Sequence, residues 1–385
     1  MRPSIVGFVS SLSLLLAPMA GTTDDDSQSS PQLGTQYRTA VVANLDNEIA
    51  NLEATGSSGA STRENVTRSA QEFDLLEHLS CIPVDALYYC PFWGWSDTDI
   101  PLEERLDINN ITESTEISGD VPWESTIYDL LTLPPDQQRE MLRQDLMNAK
   151  SSAGKVLADD QFTDTGDISA DVREAFPAES AFADVETDSN SSTAARTTVV
   201  SRARLVTTTR AGKQQRSNWC GPASANFMGL HDPRSPSANS QQLWANRLGT
   251  GSGGTSIYNF VNAVNRYMPG WSQRVNGYVV RSISGWSVSK WIGQISGTVG
   301  HKKAPVILHP KLSPGVSTYV PAGTGTGGHF NVAFGYTVYS NGSGIVNIFE
   351  PYDFSGKLRR TMVTDPFTKV KEANDANRSF QNIGV

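Results

Sequence analysis

The stretch from Gln214 to Leu230, QQRSNWCGPASANFMGL, concentrates residue types suited to acyl chemistry. Cys220 stands where a turn-forming Ser217-Asn218-Trp219 gives way to small residues, with Ala223, Phe227 and Leu230 on one helical face. The spacing therefore puts a thiol at a helix N-terminus. Unpaired backbone N–H groups there favour an anion, and so favour a thiolate nucleophile. Attack on a carbonyl creates an oxyanion that needs donors fixed in advance; the Cys220 N–H and the side-chain amide of Gln214, six residues upstream, are placed to supply them.

A thiolate nucleophile needs a base, and the base needs an orienter. Of five histidines, His78 lies in an acidic region, His231 at a helix end, His301 beside two lysines and His309 before a proline. His329 is the best candidate: two glycines precede it and an alternating strand follows, with His329, Asn331 and Ala333 on one face. Alternation places Val346, Ile348 and Glu350 on one face of the next strand, opposite to Asn347. Glu350, Asp353 and Asn347 are the candidates for the orienter.

Gln, five residues and then Cys-Gly-Pro-Ala-Ser resembles the nucleophile segment of papain-like cysteine peptidases of the bacteriocin leader-processing branch. GGHFNVAFGY and IFEPYD are similar to that family's histidine strand and following acidic strand. The resemblance covers the C-terminal half only. It implies an α+β papain-like domain, a helix-borne nucleophile and a base on an antiparallel sheet. In the family an Asp immediately before a proline holds the imidazole; the resemblance therefore favours Glu350 as orienter, with Asp353 second, and Glu in place of Asp is a departure. Family members that cut double-glycine leaders carry a transporter region, which this chain lacks, and that specificity is not carried over.

Residues 1–22 read as a signal peptide: Arg2, an apolar run from Ile5 to Leu16, then small residues. No later stretch reaches about 18 consecutive apolar residues, so stable membrane insertion is not expected. In an exported chain Cys81 and Cys90 would pair as a structural disulfide, leaving Cys220 as the reactive thiol. No cluster has metal-ligand spacing, and neither metal nor cofactor is expected.

The net charge of −9 conceals a division: residues 1–200 hold 11 Lys and Arg against 34 Asp and Glu, and residues 201–385 hold 20 against 6. The acidic part, residues 23–200, is read as a prosegment that covers a basic catalytic domain at 201–385. No nucleic-acid-binding motif accompanies the basic charge.

Residues 23–59 are polar enough to resist ordering, with a hint of helix only at 40–52. Aromatic residues around the cysteine pair predict an ordered core at 70–95, and DQQREMLRQDLMNAK after Pro134-Pro135 predicts an amphipathic helix. Residues 184–200 read as a linker, and Gly-rich 250–254 as a loop at the cleft without P-loop spacing. Helices are predicted from Ser240 to Gly249, Ile257 to Met268 and Trp286 to Ile295, and a strand from Gly277 to Arg281. Strands APVILH, GGHFNVAFGY and GIVNIFEPY follow, the last two joined by an Asn341-Gly342 hairpin.

Together these features predict a secreted cysteine peptidase made as a zymogen and acting on peptide or protein substrates. The alternatives are a catalytically inactive papain-like binding or adhesion protein, or a papain-like acyltransferase using the same residues.

Overall fold

The computed structural model describes residues 30–57, 73–106, 121, 123–181, 198–236, 239–353, 361–378 and 380–385. The leader at 1–22 and most of the 184–200 linker lie outside the described residues.

Twelve helices are described: α1 Ser30–Ser57, α2 Leu102–Arg105, α3 Trp123–Leu131, α4 Pro135–Thr165, α5 Ala170–Ala175, α6 Pro177–Ser180, α7 Cys220–Leu230, α8 Gln241–Arg247, α9 Ile257–Tyr267, α10 Pro269–Arg274, α11 Val288–Ser296 and α12 Phe367–Ala376. The strands are β1 Ile82–Val84, β2 Leu87–Cys90, β3 Gly94–Ser96, β4 Val199–Arg204, β5 Val280–Ser282, β6 Val306–Leu308, β7 Asn331–Tyr339, β8 Gly344–Phe349, β9 Met362–Pro366 and β10 Asn382–Gly384. They form one mixed sheet in the order β1-β2-β3-β5-β10-β6-β7-β8-β9, with β4 also pairing β7.

Local chemistry explains the punctuation. Ser240, Ser256 and Ser287 cap α8, α9 and α11 through their hydroxyls, which accept from N–H groups of the first turn. Proline occupies the first position of α4 and Gly166, at φ 76°, ends it. Asn341-Gly342 turns β7 into β8, with Gly342 at φ 77°. The strand predicted from Gly277 starts later, at Val280, because Asn276 (φ 51°) and Gly277 (φ 83°) form a left-handed turn.

The resistance to order expected of residues 23–59 is corrected over α1. Its sparse apolar residues Val41, Val42, Leu45 and Leu52 are all buried in a core shared with α4 and the β1–β3 region. That docking supplies what propensity lacks. The Cys81–Cys90 disulfide is formed in the same region, linking the start of this meander to the end of β2.

Pairings among the C-terminal strands are antiparallel; the parallel pair, β3 with β5, joins the two halves of the chain. Opposite charges meet at the same seam. Buried Arg281 binds Asp97 and Asp160, Lys290 reaches Asp97, Asp160 and Asp164, and buried Lys302 binds Asp159.

The core behind the candidate site is built where α7 lies on β7. Phe227 stacks on Phe349 with ring centroids 4.4 Å apart and packs on Phe334, while the Ser224 hydroxyl donates to the Phe330 carbonyl at 3.1 Å. These contacts fix the start of α7 against the start of β7.

Candidate active site

Cys220 is the first residue of α7 and is buried. Trp219 makes no side-chain cap bond, and Pro222 has no N–H to contribute. The Cys220 and Gly221 amides thus provide a positive end beside the thiol. Asn218 donates to the carbonyls of Gly251 and Ser252, binding the turn before the cysteine to the glycine-rich loop. Gly221 is required by this close packing, since a Cβ there would lie 2.5 Å from the Thr255 hydroxyl. On the other side of Thr255, its carbonyl accepts from the Val121 N–H at 3.1 Å, so the N-terminal half reaches the edge of the site.

His329 precedes β7, anchored by its N–H to the Pro310 carbonyl at 2.9 Å. Its ring is buried, lies close to Cys220, and places Nε2 2.7 Å from Glu350 Oε1. With Nε2 held by Glu350, Nδ1 is the nitrogen left for another partner. Burial pulls the ring's proton affinity down, but the charges of Glu350 and Cys220 and hydrogen bonds to both outweigh it and push the pKa up to about 10. The arrangement favours an imidazolium between two acceptors.

Glu350 follows β8 and is also buried. Oε1 accepts from His329 and from the Tyr352 N–H at 2.8 Å; Oε2 accepts from Asn331 Nδ2 at 3.2 Å and the Tyr319 hydroxyl at 3.3 Å. The alternative orienters lie elsewhere. Asp353 pairs with Lys213, and Asn347 packs against Gly335 in the β7–β8 ladder.

Gln214 lies beside the site, its N–H bonded to the Pro351 carbonyl at 2.8 Å. Its side chain differs from the expected pose. Nε2 donates to the carbonyls of Arg216 (3.0 Å) and Ser217 (2.6 Å), so its N–H groups do not point to an open oxyanion position. The turn before Cys220 offers those carbonyls at short range, and they compete for the amide.

The other four histidines do different work. His78 pairs with Glu48, His231 bonds to the Thr209 hydroxyl, His301 packs edge-on against Phe162, and His309 bonds to Asn382 while stacking on Phe330. Two residues around Glu350 were missed as participants. Asn331 had a sequence signal, its period-two spacing from His329; Tyr319 had none, because a long loop delivers it.

A buried thiol at a helix N-terminus, a buried imidazole and a buried carboxylate are thus brought together, the last two hydrogen-bonded, which is the set of groups that nucleophilic acyl chemistry requires. Residues 207–381 match the Peptidase_C39 like family. The C39-like half supports a cysteine-peptidase type of function, and Gln214, Cys220, His329, Glu350 and Asp353 all fall within the matched region. No curated protein and no solved structure matches the chain. Among the described residues of the C39-like half and the rest of the chain, no helix is long and apolar enough to cross a membrane.

Proposed function

We propose that the chain is a secreted cysteine peptidase made as a zymogen, with residues 1–22 as its signal, residues 23–200 as an acidic prosegment and residues 201–385 as the catalytic domain. The observation that supports the catalytic reading is the 2.7 Å contact between His329 Nε2 and Glu350 Oε1, which leaves the other ring nitrogen available to Cys220.

The mechanism follows from that geometry. His329 takes the Cys220 proton and the resulting thiolate attacks the peptide carbonyl carbon. The Cys220 N–H stabilises the oxyanion, joined by Gln214 once its amide swings away from Arg216 and Ser217. The imidazolium then protonates the leaving amine as the C–N bond breaks. Water, deprotonated by His329, attacks the thioester and releases the acid, restoring the thiol. Glu350 holds the ring and stabilises its cationic form.

Two features support a latent form. Cys220 and His329 are 1% and 2% exposed, and the Gln214 amide is held by the carbonyls of Arg216 and Ser217. A cysteine pair joined as a disulfide accords with an oxidising destination. The basic charge of residues 201–385 would favour acidic peptide segments as substrates or as the covering partner.

The test compares the full-length chain with Cys220→Ala in mildly reducing buffer, following intact mass and hydrolysis of a mixed fluorogenic peptide set. The expected result is thiol-dependent hydrolysis with a new N-terminus near residues 190–215, both absent from the variant. A chain whose Cys220 reacts with no electrophilic probe and which cuts nothing overturns the peptidase reading in favour of a binding protein. Transfer of the acyl group to an added amine in preference to water would identify an acyltransferase.

A further inference from the structure

Glu350 is a buried carboxylate with one more side-chain torsion than an aspartate, and only one of its oxygens is held by His329. Left to itself, such a group would rotate its free oxygen toward the ring or pick up a proton, since a buried charge is costly unless hydrogen-bonded. The structure occupies that oxygen with two donors from separate elements: Asn331 at the start of β7 and Tyr319 in the loop that follows β6.

We propose that Asn331 and Tyr319 form a clamp on Glu350 Oε2 that positions the carboxylate for His329. The proposal rests on the catalytic reading above and adds two positioning residues to it. Neither residue touches the sulfur; both act through Glu350.

Three observations carry it. The Asn331 amide orientation is decided by chemistry, because only its NH2 can face a carboxylate. Its Oδ1 is consequently buried without a hydrogen-bond partner among the described residues, a cost that packing alone does not explain. Asn331 Nδ2 also lies 3.4 Å from the Tyr319 oxygen, so the two donors converge on one acceptor and brace each other. Burial, with Glu350 and Asp365 nearby, holds the Tyr319 phenol protonated and therefore a donor throughout the working pH range.

Shape-preserving substitutions test this in the full-length protein. Tyr319→Phe and Asn331→Asp remove one donor each while keeping volume. The readout is the pH dependence of Cys220 alkylation by iodoacetamide, which follows the thiolate–imidazolium pair without requiring a known peptide substrate. In each variant the upper limb of the profile, set by loss of the imidazolium proton, should move down by about one pH unit. Peptide kcat should fall about tenfold with KM little changed. Asn331→Ala gives the same direction without a new carboxylate and separates donor loss from charge repulsion.

Profiles of Tyr319→Phe and Asn331→Ala that superimpose on wild type overturn the clamp. His329→Ala serves as the reference: if it too leaves the profile unchanged, the catalytic reading itself falls. If His329→Ala shifts the profile and the clamp variants do not, only the positioning role is lost.

Discussion

Trp95 of β3 lies directly opposite Arg281 of β5 in the parallel pairing that carries the sheet from the acidic half of the chain into the basic half. Beside that pairing the Arg281 guanidinium is 1% exposed and bound by Asp97 and Asp160, both from the acidic half. The charge division seen in the sequence is therefore spent in a buried seam, not only in a solvated cover.

The seam predicts that the halves stay together after the connection is cut. With a specific protease site inserted between residues 184 and 196, the cleaved pieces should co-elute in size-exclusion chromatography. Separation at neutral pH and moderate salt would show that the seam is too weak to hold. Arg281→Met leaves Asp97 and Asp160 with Lys290 as their remaining cation and should destabilise the intact chain by about 1.5–3 kcal/mol in urea unfolding.

His329 should remain doubly protonated through neutral pH and lose its proton near pH 10, observable by NMR of the ring. Its folded-state affinity is raised above the ordinary value of 6.5, so the stability it contributes is complete below that pH and is lost as pH rises toward 10. A ring titrating near or below its ordinary value would contradict the Glu350 and Cys220 contacts.

Glu350 and Asp353 should differ sharply. Glu350→Gln keeps the shape but removes the charge holding His329, and should lower kcat by at least about a hundredfold while bringing the ring's pKa down. Asp353→Asn breaks a contact with Lys213 and should leave the alkylation profile in place. The reverse pattern would reassign the orienter.

Asp145 offers a test of the seam on a second site. It accepts the Phe92 N–H at 3.0 Å and the hydroxyl of Tyr258, which in turn lies 2.7 Å from the Tyr89 hydroxyl. Burial pushes its carboxyl up to about 7, against the opposing hydrogen bond from the Phe92 N–H. The folded protein thus holds a proton that the unfolded chain has lost, and stability from this group falls as pH rises from about 4 to 7, by at most about 1.4 kcal/mol per unit. Asp145→Asn should flatten that slope in pH-dependent urea unfolding; an unchanged slope would place the proton elsewhere.

Much of the C-terminal half was legible because its signals are local. Ser240 caps the helix its position announces, and Asn341-Gly342 makes the hairpin between the strands next to His329 and Glu350. Period-two alternation also put His329 and Asn331 on one strand face. The Gln214 pose was not legible, because it depends on which carbonyls the turn at Arg216 and Ser217 presents. Helix α1 was only partly so: Val41, Val42, Leu45 and Leu52 make a weak stripe until α4 gives them a surface to cover.

By itself the sequence singled out a thiol, an imidazole and a carboxylate as candidates, since that chemistry belongs to residue types and local spacing brings those types to notice. It also determined that the halves would attract, because net charge is a property of composition. Only the tertiary structure decided which acid meets His329, what holds that acid from behind, and that the halves share a sheet. Those outcomes depend on distances between residues far apart in the chain, fixed by strand register and by the packing of α7 on β7.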